Sequence, residues 1–378
     1  MIKNVLISPD KFKECLSALE VSEAIAEGIK RFDSSIHTII KPMADGGDGT
    51  LSVLAQAYNA SYKYFDVSDP LNRKISVPMA ILNKSHRKIG VIEMAKASGL
   101  ALLKQNERDP NITSTLGTGE LIAKALHENC DEIIVGIGGS ATNDAGAGAL
   151  HALGVQFINR DDKLFIPTGR TLDQIKSIHF ENLNPKLENT QLKIACDVSN
   201  PFYGPQGATY TFAPQKGAPN TGLAKLDKGM QHFADLLKEK NHDLQSIKGS
   251  GAGGGIAGGL FVIGGELQKG FDLISKAVDL ENDVHQADLV FTGEGKVDAS
   301  SAKGKVISGI GKLCQKYDKT AVALTGKLED GYEEIFNHGI SSAFSIQNQP
   351  MSLNDSFQQS SKLLSNVSEN IIRLLSKK

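Results

Sequence analysis

Four strand-like runs of this chain end in an acid: VLISPD at Asp10, IIKPMAD at Asp45, KIACD at Asp197 and LVFTGE at Glu294. Asp298 closes TGEGKVD, and Asp144 lies in the turn after the apolar run IIVGIGG. In open α/β sheets ligands bind outside the carboxyl ends of the strands, so acids gathered there are poorly explained by packing. The competing explanation for each is a cap on the helix that follows. Phosphoryl transfer is a chemistry that needs several carboxylates beside glycine-rich turns. Magnesium takes hard oxygen ligands, usually one or two carboxylates plus phosphate oxygens. Glycine turns and lysines hold phosphate, and a carboxylate can accept the proton of an attacking hydroxyl. Lysines stand close to these turns: Lys11 and Lys13 after Asp10, Lys216 in FAPQKGA, and Lys303 and Lys305 after Asp298.

The glycine-rich run GIGGSATNDAGAGAL, from Gly136 to Leu150, follows a strand-like stretch and passes into a helix-like one that Gly154 could close. Strand, glycine turn and helix start expose backbone N–H groups to an anion. Ser140, Thr142, Asn143 and Asp144 add hydroxyl, amide and carboxylate groups to the turn. A tight turn with close helix–strand packing is the other reading. Familiar signatures are missing. The Gly-Lys pairs at Gly295, Gly304, Gly311 and Gly326 are each followed by Val or Leu, so there is no Walker A loop. No HRD or DFG sequence, no G-x-S-x-G and no HExxH pattern is present. Gly136, Gly138 and Ala141 fit a relaxed dinucleotide pattern, and Gly249, Gly251 and Gly254 fit G-x-G-x-x-G. The second follows polar sequence, and the first lacks a strand-ending acid about twenty residues on. A nicotinamide-dependent hydroxy-acid dehydrogenase is therefore the rival enzyme, and a non-catalytic anion-binding module the rival outside catalysis.

Composition narrows the class. The chain has 378 residues, with 41 basic and 43 acidic side chains. There is no basic surplus for a nucleic-acid surface. The four cysteines, Cys15, Cys130, Cys196 and Cys314, are far apart, which points to small buried residues rather than a zinc site or disulfides. MIKNVLISPDKFK has no extended apolar core of a signal peptide, and Gly249 to Gly265 is too rich in glycine for a membrane span. A soluble, cytoplasmic, globular protein with no nucleic-acid or membrane partner is expected. The 38 glycines are clustered, which implies special loops rather than disorder.

The elements that must position these residues read as α/β. Lys3 to Ile7 is a short buried strand. Ser17 and Glu20 have capping-box spacing, and Val21, Ile25 and Ile29 follow on one helix face. Thr38 to Ile40 is a second strand. Strand, helix, strand at this spacing argues a parallel unit. Alternation resumes at Asp288 to Phe291, with strands at Thr320 to Leu324 and Ala343 to Ile346. A last helix carries Phe357, Leu364, Val367, Ile371 and Leu374 on one face. The first and last parts read as one doubly wound parallel sheet split in sequence. The middle mixes strands near Val77 to Leu82, Lys88 to Ile92, Ile133 to Val135 and Leu192 to Ala195 with helices. Of these helices, the best has Leu223, Leu226, Met230, Phe233 and Leu237 at three-four spacing. The expected division is a discontinuous domain, 1–70 and 285–378, with a second mixed α/β domain, 71–284, inserted.

With these motifs in order, the chain resembles the bacterial glycerate kinase family that includes the glyoxylate- and galactarate-pathway enzymes. The resemblance runs through SPDKFKECLSALE, PMADGGDGT, EMAKASGL and TSTLGTGELI. It continues through GIGGSATNDAGAGAL, CDVSNPFYGPQGATYTFAPQKGA, GAGGGIAGGL and FTGEGKVDASSAKGK, over nearly the whole chain. It implies ATP-dependent, magnesium-assisted phosphorylation of D-glycerate, usually at the 2-hydroxyl, with a 3-kinase as the alternative. It also implies a flavodoxin-like domain with a second α/β domain inserted, and a cleft between them. Three positions depart from the family pattern: Ser300 where Gln is usual, Asn72 where Gly is common, and Lys11 where Ser is frequent. The expected catalytic set is Asp10, Lys13, Asp45, Asp197 and Asp298, and the expected magnesium ligands are Asp197, Glu294 and Asp298. ATP is expected at Gly117, Gly138, Gly139, Ser140, Asp144 and Lys216, although both substrates are anions and the subsites are interchangeable on charge. The expected partner is the small-molecule substrate, with a homodimer left open.

Overall fold

Asn4–Ile7 forms a strand because Val5, Leu6 and Ile7 are apolar on both faces, and all three are fully buried. A strand buried on both faces suits a parallel sheet covered by helices. In the computed structural model, which describes residues 2–84, 86–302 and 304–376, the described residues form thirteen strands. They are β1 (Asn4–Ile7), β2 (His37–Ile40), β3 (Ser61–Ser68), β4 (Lys74–Lys84), β5 (Arg87–Glu93), β6 (Glu132–Gly136) and β7 (Gln156–Asn159). There follow β8 (Ile175–His179), β9 (Gln191–Ala195), β10 (Glu266–Gln268), β11 (Leu289–Val297), β12 (Thr320–Leu328) and β13 (Ser342–Ser345). The chain divides into two units.

One unit comprises Met1–Asp45, Ser52–Ala57 and Phe271–Lys378. Its sheet is wholly parallel, in the order β13-β12-β11-β1-β2. Val5 pairs with Leu289 and Ile7 with Phe291, so the two ends of the chain share one sheet, as the alternation predicted. Renumbered within the unit the order is 2-1-3-4-5, the flavodoxin-like arrangement, whose switch point lies between β1 and β11. The capping box forms as read: Ser17 Oγ accepts from the Glu20 N–H, and Glu20 Oε2 accepts from the Ser17 N–H at 2.8 Å. The last helix, Leu353–Leu375, differs from its expected face. Leu364 and Ile371 are buried, but Leu374 is 60% exposed and Phe357 lies at the margin. The buried side instead runs through Leu363 and Ile372 and the serines Ser356, Ser360, Ser365 and Ser368. Small side chains let it approach the helix Ala18–Phe32 closely.

The other unit comprises Gly46–Leu51 and Tyr58–Gly270. Its six strands run β10-β9-β6-β5-β4-β3. β5, β6, β9 and β10 are parallel neighbours, while β3, β4 and β5 are antiparallel. β7 and β8 form a separate antiparallel pair. The helix Leu223–Lys238 buries the five apolar residues that its spacing marked. Cys130 and Cys314 are buried, whereas Cys15 and Cys196 are only partly covered. Among the described residues no helix is long and apolar enough to cross a membrane.

Candidate active site

In the five-stranded unit, acids collect at the switch point. Asp10 follows β1 and donates its backbone N–H to Gly293 O of β11 at 2.8 Å. Asp45 lies beyond β2, Glu294 lies within β11, and Asp298 follows it. Asp10 is pushed up to about 8, first by burial, then by the charge of Asp45, with Glu294 adding to it and the Lys11 N–H opposing. Like charges brought together in a water-poor site cannot all ionise at their ordinary pKa. Burial also raises Glu294, against a hydrogen bond from the Ser301 hydroxyl and the charge of Lys305.

Asp298 has the opposite environment. Its Oδ1 accepts from Ser300 Oγ at 2.6 Å and from the Ser300 N–H at 2.8 Å, and its Oδ2 lies 3.1 Å from Lys296 Nζ. The Ser300 hydroxyl, with Lys296, holds this carboxyl well below the usual carboxylate range. Lys305 Nζ donates to Ser300 Oγ at 3.0 Å, so Ser300 relays between a cation and the acid. Lys13 is exposed in the tight turn where Phe12 and Leu16 exchange backbone hydrogen bonds. Lys303 lies outside the described residues.

In the six-stranded unit, the glycine-rich run is braced from within. Asp144 is fully buried. Its Oδ2 accepts from the Thr115 N–H and hydroxyl, both at 2.8 Å, and its Oδ1 from the Gly146 N–H at 3.2 Å. Gly148 N–H adds a longer contact of 3.4 Å to Oδ2, and Thr115 Oγ1 accepts from Ala149 N–H at 2.9 Å. These N–H groups open the short helix Ala147–Ala152. The carboxyl at this helix start is therefore the chain's own Asp144, whose pKa is raised by burial against the opposing effect of these donors. Lys216 is 2% exposed, and its Nζ donates to Ser140 Oγ at 2.6 Å and Thr142 O at 2.7 Å. Burial lowers Lys216 to about 7, with Asp144 acting in the other direction. Gly117 is buried in the helix Leu116–His127, against the Ser68 carbonyl of β3. Gly138 and Gly139 shape the turn after β6, where Gly139 O accepts from Leu100 N–H at 2.9 Å.

Asp197 follows β9 in this same unit. Its Oδ1 accepts from Gly270 N–H at 2.9 Å, 73 positions away. Gly270 is the first residue of the helix Gly270–Val278. The carboxylate thus does meet a helix start, but one from a distant segment rather than from the sequence that follows it.

These geometries sort the expected site residues. Asp10, Asp45, Glu294 and Asp298 are electrostatically coupled within one unit. Asp197, Gly138, Gly139, Ser140, Asp144, Gly117 and Lys216 belong to the other. A further strand-ending acid is Glu93. It ends the apolar run KIGVIE of β5 and is 2% exposed, so the rule that found Asp10 and Glu294 would have found it too.

The sequence pattern of the glycerate kinase family matches residues 5–376. The chain belongs to the glycerate kinase family. It is 36% identical over 373 residues to glycerate 2-kinase of Escherichia coli K12, covering 98% of this chain and 97% of that protein. It is 38% identical over 372 residues to a glycerate kinase of Halalkalibacterium halodurans, covering 98% and 97%. A crystal structure of a protein assigned as glycerate kinase 2, from Salmonella typhimurium LT2, superposes with a TM-score of 0.88 at 34% identity, covering 99% of this chain and 98% of that one. The expected departure at Asn72 falls on a special backbone position. Asn72 sits at φ 63°, a left-handed position that glycine adopts freely and asparagine tolerates best among the others. Ser300 supplies a hydroxyl to Asp298, so the acid keeps a hydrogen-bond donor at the position where the resemblance led to an expectation of Gln.

Proposed function

We propose that the protein transfers the γ-phosphoryl group of ATP to the 2-hydroxyl of D-glycerate. The observation that carries this reading is the match, over nearly the full length of both chains, to a relative named glycerate 2-kinase. The substrate oxygen attacks the γ-phosphorus, the bond from that phosphorus to the ADP oxygen breaks, and a carboxylate takes the hydroxyl proton. Asp10 suits the last role best. A general base works best with a pKa near the working pH, and Asp10 at about 8 meets that condition. Asp298, held ionised by Ser300 and Lys296, is too weak a base and suits a charge-holding role.

Magnesium supplies charge neutralisation on transferring phosphoryl groups. Among the described residues no group of three or more His, Cys, Asp or Glu side chains is arranged to hold a metal. Glu294 and Asp298 instead offer a pair of hard carboxylate donors, which fits an ion that takes one or two carboxylates and completes its shell with phosphate and water. In the six-stranded unit, Gly138 and Gly139 are the groups proposed to meet phosphate oxygens. Ser140, Lys216 and Asp144 are bonded internally and shape that turn, while Gly117 is a packing residue.

An ADP-release assay with a panel of small hydroxy acids, followed by phosphorus NMR of the product, tests the proposal. Formation of 2-phosphoglycerate from D-glycerate is expected. Formation of 3-phosphoglycerate would correct the acceptor oxygen, and no phosphoglycerate from folded protein would defeat the reading.

A further inference from the structure

Glu93 stands outside every role given above. Its side chain is almost wholly buried at the end of β5, where Glu93 pairs with Gly136 of β6. Burying a carboxylate is costly unless it is hydrogen-bonded. Here Oε1 accepts from two N–H groups of one turn, Gly49 at 2.8 Å and Leu51 at 2.7 Å. Among the described residues Oε2 has no hydrogen-bond partner, and Lys96 Nζ lies 4.0 Å from it. Lys96 also reaches Asp48 of the same turn at 3.8 Å. A helix start at Thr50 needs only a short polar side chain next to it in sequence. The chain instead uses a carboxylate 42 residues away, on the sheet, which ties the turn to a place as well as capping it.

That place is the glycine-rich run. A side chain on Gly136 would meet Gly46 O at 2.6 Å, and one on Gly138 would meet Gly47 Cα at 2.8 Å. A side chain on Gly46 would meet Ala195 Cβ at 2.7 Å. Gly46 and Gly47 thus lie backbone to backbone over the ends of β6 and β9. We propose that Glu93 is a positioning residue: it holds the turn Gly46–Leu51 against Gly136–Gly138, forming a backbone wall for the phosphate oxygens of the nucleotide. This rests on the kinase reading and on the nucleotide lying at the Gly138 turn.

The test compares wild-type protein with Glu93→Ala and Glu93→Gln, by hydrogen exchange of segment 46–51 without substrates and by steady-state kinetics well below the melting temperature. Glutamine keeps an oxygen for the Gly49 and Leu51 N–H groups. Glu93→Ala is expected to speed exchange in 46–51 by about tenfold or more and to raise KM for ATP by a similar factor, with KM for glycerate within about twofold. Glu93→Gln is expected to restore most of both. A merely structural residue would lower the melting temperature without splitting the two KM values. Wild-type exchange in Glu93→Ala, a wild-type KM for ATP, or equal losses in the two variants would each overturn the proposal. If Glu93→Ala does not fold, Glu93→Asp, one methylene shorter, takes its place under the same criteria. Absence of phosphorylation by the wild-type protein would defeat the kinase reading itself, and unchanged exchange would still separately defeat the hold of Glu93 on the turn.

Discussion

Lys216 Nζ donates to Ser140 Oγ at 2.6 Å across 76 positions of sequence, and the same amine reaches Thr142 O at 2.7 Å. The buried amine therefore ties two neighbouring positions of the glycine-rich turn together. Lys216→Met would leave a buried carbonyl without its donor, a loss of about 1–3 kcal/mol. We expect a lowered melting temperature together with turnover reduced by on the order of tenfold or more. Lys216→Arg should not rescue, because a planar guanidinium cannot replace a compact ammonium in this packing. A destabilised Lys216→Met with normal specific activity would make the lysine purely structural.

Asp10 predicts a pH dependence of stability. Its folded pKa of about 8 lies above its ordinary value, so folding favours the protonated form. The stabilisation is complete below the ordinary carboxylate range and is lost as pH rises toward 8. Asp10→Asn stays neutral throughout. The variant should therefore gain on wild type between pH 5 and pH 9, by at least about 1 kcal/mol, as read from thermal unfolding at both pH values. Its turnover should fall by about 10²-fold or more if Asp10 is the base. A difference in melting temperature that does not change with pH would contradict the burial argument.

Gly117 is set by close packing. A Cβ there would lie far inside van der Waals contact with Ser68 O. Alanine favours a helix over glycine by about 1 kcal/mol, but overpacking costs about 1–3 kcal/mol and the clash is with backbone. Gly117→Ala should be destabilising in chemical denaturation. A neutral or stabilising result would show that the helix Leu116–His127 can move away from β3.

Asp197→Asn separates two roles. Asparagine can still accept from Gly270 N–H, so the melting temperature should shift little, corresponding to no more than about 1 kcal/mol. In the metal-ligand role expected of Asp197, loss of its charge should reduce turnover by on the order of 10²-fold. A stable variant with near-normal turnover would remove Asp197 from the site. A destabilised one with normal specific activity would reduce it to a cap for the segment beginning at Gly270.

Much of the scaffold was legible because its signals are local. Full burial made Val5–Ile7 apolar on both faces, a helix period marked Leu223 to Leu237, and Ser17 with Glu20 announced a helix start. The split parallel sheet followed from alternation at the two ends of the chain, confirmed where Val5 pairs with Leu289. The exposed Leu374 shows the limit of the same method. Periodicity marks apolar positions, but how closely two helices approach decides which of them are covered.

Strand period, turn residues and residue type are properties of short segments, so the amino-acid order already placed acids, lysines and glycines at the ends of parallel strands. Tertiary structure alone decided what each group does with its charge. Asp144 finds partners within the fold at Thr115, and Lys216 at Ser140 and Thr142. Asp197 meets Gly270 and Glu93 meets Gly49, across 73 and 44 positions. Donors and acceptors so far apart are paired only when separate segments pack together. Burial then sets which carboxyl group keeps its proton, as at Asp10, and local hydrogen bonds set which one stays ionised, as at Asp298.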